Sequence, residues 1–166
     1  KFGKPTDISS PVDHPVTRRI NALAEPGVFI CRRGWDEKKK RLKSVITVDE
    51  VRKLKSFFAL SATDGGWRIA IVDAAEELNS AAANALLKIL EEPPAKAIIL
   101  LVSHQPAKLL PTIRSRCRML RCETLGVDDL LQVLKQAGFP AENPQALAEL
   151  SIGSPGDAIR LLSGNG

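Results

Sequence analysis

Two unbroken apolar runs on either side of one capped helix pattern constrain the fold more than any other feature of the chain. "RIAIVD" (Arg68 to Asp73) and "KAIILLVS" (Lys96 to Ser103) show no alternation of polar and apolar residues. Such runs belong to strands covered on both faces, as in parallel sheets. Between them, "NSAAANALLKILEEPP" predicts a helix capped by Asn79 or Ser80 and stopped before Pro93 and Pro94. Strand, helix, strand in that order implies a right-handed crossover and a parallel α/β sheet.

The flanking segments extend the same architecture. "GVFIC" from Gly27 predicts a short buried strand, and "RMLRC" from Arg118 a further strand of the doubly covered kind. Thr47 and Glu50 stand at capping-box spacing ahead of a stripe of Val51, Leu54, Phe57 and Phe58, which predicts a helix. An earlier helix is predicted around Val16, Ile20, Leu23 and Ala24, with Asp13 at its start. The Gly65-Gly66 pair precedes a strand and reads as a turn. "PAKLLPTIRSRC" is broken by Pro106 and Pro111 and leaves room only for short helical turns. From Glu123 onward the pattern becomes three short helices separated by Gly and Pro signals. The expected organisation is an α/β domain over residues 1–122 and a small all-helical domain over residues 123–166. The alanine run Ala81 to Ala83 reads first as tight packing and second as a close interface.

Composition narrows the function classes. With 44 % apolar and 26 % charged residues the chain has the material for a core and is not a disordered one. No apolar run approaches the ~20 residues of a membrane span, and the start does not resemble a signal peptide. The first residue is lysine, so the chain is expected to be a fragment or to lack its start. Cys31, Cys117 and Cys122 are odd in number and form no CxxC pair, which points to reduced thiols rather than a disulfide framework or tetrahedral zinc. Net charge is +5, with Arg32 to Lys43 as the basic cluster, read first as a solvated loop and second as a phosphate-facing patch.

Ligands of open parallel sheets bind beyond the carboxyl ends of the strands, where Asp73 and Ser103 stand. An apolar strand ending in Asp is how phosphate-handling enzymes hold magnesium. An active ATPase needs a second acid next to it, and here Ala74 follows. Glu76 and Glu77 are poorly placed substitutes. No GxxxxGK[ST] occurs in these 166 residues. His14 and His104 are isolated in sequence and give no triad or metal pattern.

"VDAAEELNSAAANALLKILEEPP", "IILLVSHQPAKLLPTIRSRC" and "GSPGDAIRLL" together resemble the clamp-loader subunits of bacterial DNA polymerase III, the delta-prime subunits above all. The LEEPP (Leu90 to Pro94) and SRC (Ser115 to Cys117) elements carry the resemblance, which runs from about Thr47 to Leu162. It implies an AAA+ module, incomplete at its N-terminus, with a three-helix lid and without the family's collar domain. It also implies a cytoplasmic, non-hydrolysing member of a five-subunit ring that uses ATP to load the sliding clamp onto primed DNA. The implied partners are gamma/tau and delta, with clamp and primer-template DNA reached through the complex and no membrane. Arg116 matches the arginine finger offered to a neighbour, whose site holds the ATP and magnesium. Asp73 and Ser103 match the magnesium and sensor positions of a degenerate nucleotide site in this chain. The lid's sensor arginine is replaced by Gly156, with Arg160 one turn on. Zinc is not expected, because only Cys31 lies where many relatives carry a four-cysteine module.

Bland readings stand beside these. Arg116 also reads as an arginine paired with an acid of its own domain, Asp73 as a helix cap, and Ser103 as a local hydrogen-bonding residue. An active ATPase of gamma/tau type is the alternative; it predicts an acid after Asp73 and an arginine near Gly156. A free-standing DNA-binding module would rest on the basic cluster, with little affinity expected for want of a base-reading motif. The strand order is expected to put Arg114 and Arg116 near the edge of the parallel sheet, following in the chain the two strand tips that would flank a nucleotide.

Overall fold

The computed structural model describes residues 14–59, 66–140 and 143–164. The chain divides into a compact unit ending at Arg118 and a second beginning at Met119. Asp13 and Gly65, named above as a cap and a turn residue, lie outside the described residues.

In the first unit, strands β1 (Val28–Cys31), β4 (Arg68–Val72) and β5 (Ala97–Leu101) form a parallel sheet with β4 in the middle. Ile30 pairs with Ile71, and Ile71 with Leu100. Helices α2 (Val48–Ala59) and α3 (Ser80–Glu91) pack on one face. There Cys31, Ala70 and Val72 meet Val51, Leu54 and Phe58 of α2 and Ala82, Ala83, Leu86 and Ile89 of α3. The small Ala82 and Ala83 are buried in this core and serve packing between α2, α3 and the sheet, while Ala81 of the same run is exposed. Burial drives the Cys31 thiol up to about 11, with the charge of Glu50 adding to it, so this sulfur is a protonated core group.

The other sheet face carries Val28, Ile30, Ile69, Ile71, Ile98 and Leu100, which alternate with the core residues and take no part in that cluster. Leu100 is 49 % exposed. The expectation that β5 is covered on both faces is therefore corrected among the described residues. "RMLRC" forms no strand, and Leu120 is 86 % exposed. Apolar composition alone does not reveal whether a partner strand is beside it.

Local details also depart from the spacing rules. Thr47 and Glu50 do not close a capping box. The Thr47 hydroxyl is buried without a hydrogen-bond partner, and the Glu50 carboxylate accepts from Lys53 at 2.9 and 3.0 Å. An i,i+3 cation competes for the carboxylate that the box requires. Helix α1 (Pro15–Asn21) is short, buries nothing, and is capped by the His14 ring, which accepts from the Val16 amide at 3.2 Å. Arg68, read as the start of an apolar strand, is buried with its guanidinium 5.6 Å from the centre of the Phe57 ring. The basic cluster is not a plain loop: β2 (Trp35–Asp36) and β3 (Arg41–Leu42) pair antiparallel as a small hairpin. Helix α4 (Pro111–Arg114) and a 3-10 turn at Pro106–Lys108 are the short turns that the prolines allow.

The second unit contains α5 (Val127–Gln136), α6 (Pro144–Leu150) and α7 (Pro155–Leu162) around Leu130, Leu134, Leu147 and Ala158. Asn143 caps α6 and Ser154 caps α7. Between them Gly153 has φ +68° and donates to the Ala148 carbonyl at 3.0 Å, while its own carbonyl accepts from Leu125 at 3.1 Å. No described helix is long and apolar enough to cross a membrane.

Candidate functional site

A cleft of about 1030 Å³ opens at the carboxyl ends of the parallel strands. Asp73 stands there because β4 ends at Val72; its amide donates to the Cys31 carbonyl at 3.0 Å, and its side chain is exposed. Ala74 lines the same cleft and offers only a methyl group where a water-orienting acid would stand. Asp73 does not cap α3: Asn79 does, accepting from Ala82 at 2.8 Å.

Both neighbouring acids are held by partners. Glu77 pairs with Arg33 at 3.1 Å. Glu76 accepts from the His104 amide at 3.0 Å and lies 3.3 Å from its ring Nδ1. Burial pushes the Glu76 carboxyl upward, but hydrogen bonds from its own amide, the His104 amide, the Ser103 hydroxyl and the His104 ring outweigh it, so Glu76 titrates below its ordinary value. His104 is thus paired rather than isolated, through a contact spanning 28 residues that no local spacing signals. Ser103 also accepts from the Gln105 amide at 3.3 Å, so its hydroxyl serves one local contact and one to Glu76.

A depressed folded-state carboxyl contributes stability that is fully present above its ordinary value of 4.5 and is lost as pH falls through the lower folded-state value. Glu76→Ala is expected to cost about 1–3 kcal/mol at neutral pH, from the lost bonds to the β5–α4 connection. It should also flatten the acid limb of the stability curve. Thermal unfolding between pH 3 and pH 7 checks this; an acid limb identical to the wild type would refute it.

Arg116 lies elsewhere. Its Nη2 is 2.9 Å from Glu91 Oε1, and its Nη1 donates to the Thr112 carbonyl at 2.9 Å. Glu91 is the last residue of α3. Twelve helical residues span about 18 Å, and α3 runs back from the carboxyl-end cleft to the start of β5. Arg116 therefore sits at the end of α3 remote from Asp73. The pairing with an acid of its own unit is real. Both partners are substantially exposed, and such a pair contributes only about 0–1 kcal/mol. Glu91 is 25 residues away in sequence, and nothing in the spacing marks it as the partner. Arg114 is exposed and takes part in no side-chain bond among the described residues.

In the second unit, Gly156 is exposed with open space where a side chain would stand. Arg160 is ion-paired with Asp157 on its own helix. At Gly156, where the resemblance implies an arginine in an active ATPase, there is only backbone, and Arg160 is engaged by Asp157.

A family model described as DNA polymerase III, delta subunit, matches residues 8–126. The DNA polymerase III subunit delta' of Pseudomonas aeruginosa is 47 % identical over 118 residues, covering 70 % of this chain and 36 % of the relative. The subunit delta' of Escherichia coli K12 is 36 % identical over 138 residues, covering 74 % of this chain and 37 % of the relative. The chain thus spans about a third of the length of the curated relatives it matches. Among solved structures, a DNA polymerase III gamma subunit-related protein of Thermotoga maritima superposes with a TM-score of 0.53 at 28 % identity, covering 69 % of this chain and 38 % of that one.

Proposed function

Since the chain belongs to the delta-prime family of DNA polymerase III clamp-loader subunits, with the AAA+ fold, we propose that it is a non-hydrolysing subunit offering Arg116 to the ATP site of a neighbour. The observation that carries this reading is the separation along α3: Arg116 is at one end and Asp73 at the other. A guanidinium at the far end of a helix about 18 Å long cannot touch a phosphate held in its own unit's cleft at the other end, whereas an exposed guanidinium on a weak latch is free to meet one on another subunit. A planar, permanently charged fork is suited to charge that spreads over a transferring phosphoryl group.

The cleft of this chain does not fit a hydrolytic nucleotide. Asp73 is free to hold a cation, but Ala74 cannot orient water, and Glu76 and Glu77 are engaged; in the second unit, described by itself, Gly156 carries no guanidinium. ATP and magnesium belong, in this reading, to the neighbouring gamma/tau subunit. Delta, the sliding clamp and primer-template DNA are the further partners, in the cytoplasm. Zinc has no role in this reading.

The gamma/tau subunit of Mycobacterium tuberculosis is 36 % identical over 124 residues, which favours a second reading as an active ATPase. Ala74 and Gly156 stand against it. The full-length protein alone is expected to show no ATP turnover. Turnover that Asp73→Asn abolished would overturn the non-hydrolysing reading.

A further inference from the structure

The chain's entire net charge sits in one small hairpin. Arg32 to Lys43 contains seven cations and two carboxylates, a net +5; the remaining 17 cations and 17 carboxylates cancel. Both hairpin acids are spent on the hairpin itself. Asp36 accepts from the amides of Lys38 and Lys39, each at 3.1 Å, and shapes the turn. Glu37 pairs with Lys40 at 3.4 Å. Arg33 is held by Glu77. Among the described residues, Arg32, Lys38, Lys39, Arg41 and Lys43 have no carboxylate partner.

The hairpin also presents a ring. Trp35 pairs across the strands with Leu42; they are 52 % and 50 % exposed. An indole held half in water contributes nothing to the core, and its strand is only two residues long. Both side chains border the carboxyl-end cleft, alongside Arg32.

We propose that this hairpin is a binding surface for single-stranded nucleic acid, with the free cations along the phosphates and a base stacked on Trp35. An acidic peptide would satisfy the cations but leave the indole wet, and a duplex keeps its bases stacked inside. A single strand supplies a phosphate and an open ring in every nucleotide. Stacking requires no base-reading motif, so the lack of one does not count against it. The inference is independent of Arg116: its failure would leave the finger reading untouched, and the reverse.

The test is fluorescence anisotropy of a labelled oligothymidylate titrated with the full-length protein. Five phosphate contacts at a slope of about 0.7 each predict an affinity loss of about 10²-fold from 50 to 200 mM salt. Trp35→Ala is expected to weaken binding about tenfold, with Trp35→Phe close to wild type. The combined K38E, K39E and R41E variant should remove measurable binding. These side chains are exposed, so unchanged thermal melts confirm the fold. Three results would each overturn the proposal: affinity insensitive to Trp35→Ala, equal affinity for a duplex of the same sequence, or displacement by oligoglutamate as effective as by unlabelled oligothymidylate.

Discussion

Replacing Arg116 with alanine is expected to slow ATP hydrolysis at the adjoining subunit about 10³-fold, the scale on which a trans-acting arginine works in phosphoryl transfer, while leaving this chain folded. The fold should tolerate the change because the side chain is exposed and its pair with Glu91 is a surface one, contributing no more than about 1 kcal/mol. Arg116→Lys should not restore the rate, since an ammonium keeps the charge but not the two-pronged donor geometry. Glu91→Ala is the discriminating control. A merely structural arginine predicts that Arg116→Ala and Glu91→Ala lower the melting temperature alike and leave turnover alone. A finger predicts that only Arg116→Ala abolishes the site's share of turnover. Single-turnover hydrolysis by the reconstituted complex in the presence of primed DNA reads this directly. An unchanged rate removes the assignment.

Gly153→Ala is expected to unfold the second unit selectively. Gly153 has φ +68°, a conformation that costs an L-residue about 1–2 kcal/mol. A β-carbon there would also lie 2.5 Å from the Leu125 carbonyl oxygen and 3.1 Å from its amide nitrogen. Neither is the end of a flexible side chain, so the backbone must shift and with it the Leu125–Gly153 hydrogen bond. Overpacking of this kind adds about 1–3 kcal/mol. The sum is large for a unit with only four hydrophobic side chains in its buried core cluster. Gly156→Ala, with open space at its β-carbon, is the matched control and should be neutral or slightly stabilising. Limited proteolysis and amide exchange over residues 119–164 distinguish the two. Equal protection in both variants would rule out the strain argument.

The parallel sheet and its crossover helix were legible because unbroken apolar runs and a side-chain cap are local signals, and Asn79 does cap α3. The three helices after Glu123 were legible for the same reason. What the sequence could not supply was pairing across distance. The Arg116–Glu91 and Glu76–His104 contacts join residues 25 and 28 positions apart, and no spacing rule reaches that far. The strand-like "RMLRC" and the doubly buried β5 failed for a related reason: composition reports what a strand is made of, not whether anything lies against it. The capping box failed locally, because Lys53 stands where it draws Glu50 away.

The placing of Arg116 and Asp73 at opposite ends of α3 gives the subunit a direction. Contacts between such subunits are heterologous, one face meeting a different face of the next, and a row built from them runs one way around a ring. A member that gives an arginine from one face and works no nucleotide at the other, as proposed for this chain, would break the equivalence of the positions. It ends the succession of working sites rather than continuing it, so a ring containing one such subunit has a first and a last active position, and the order in which its sites fire need not be random.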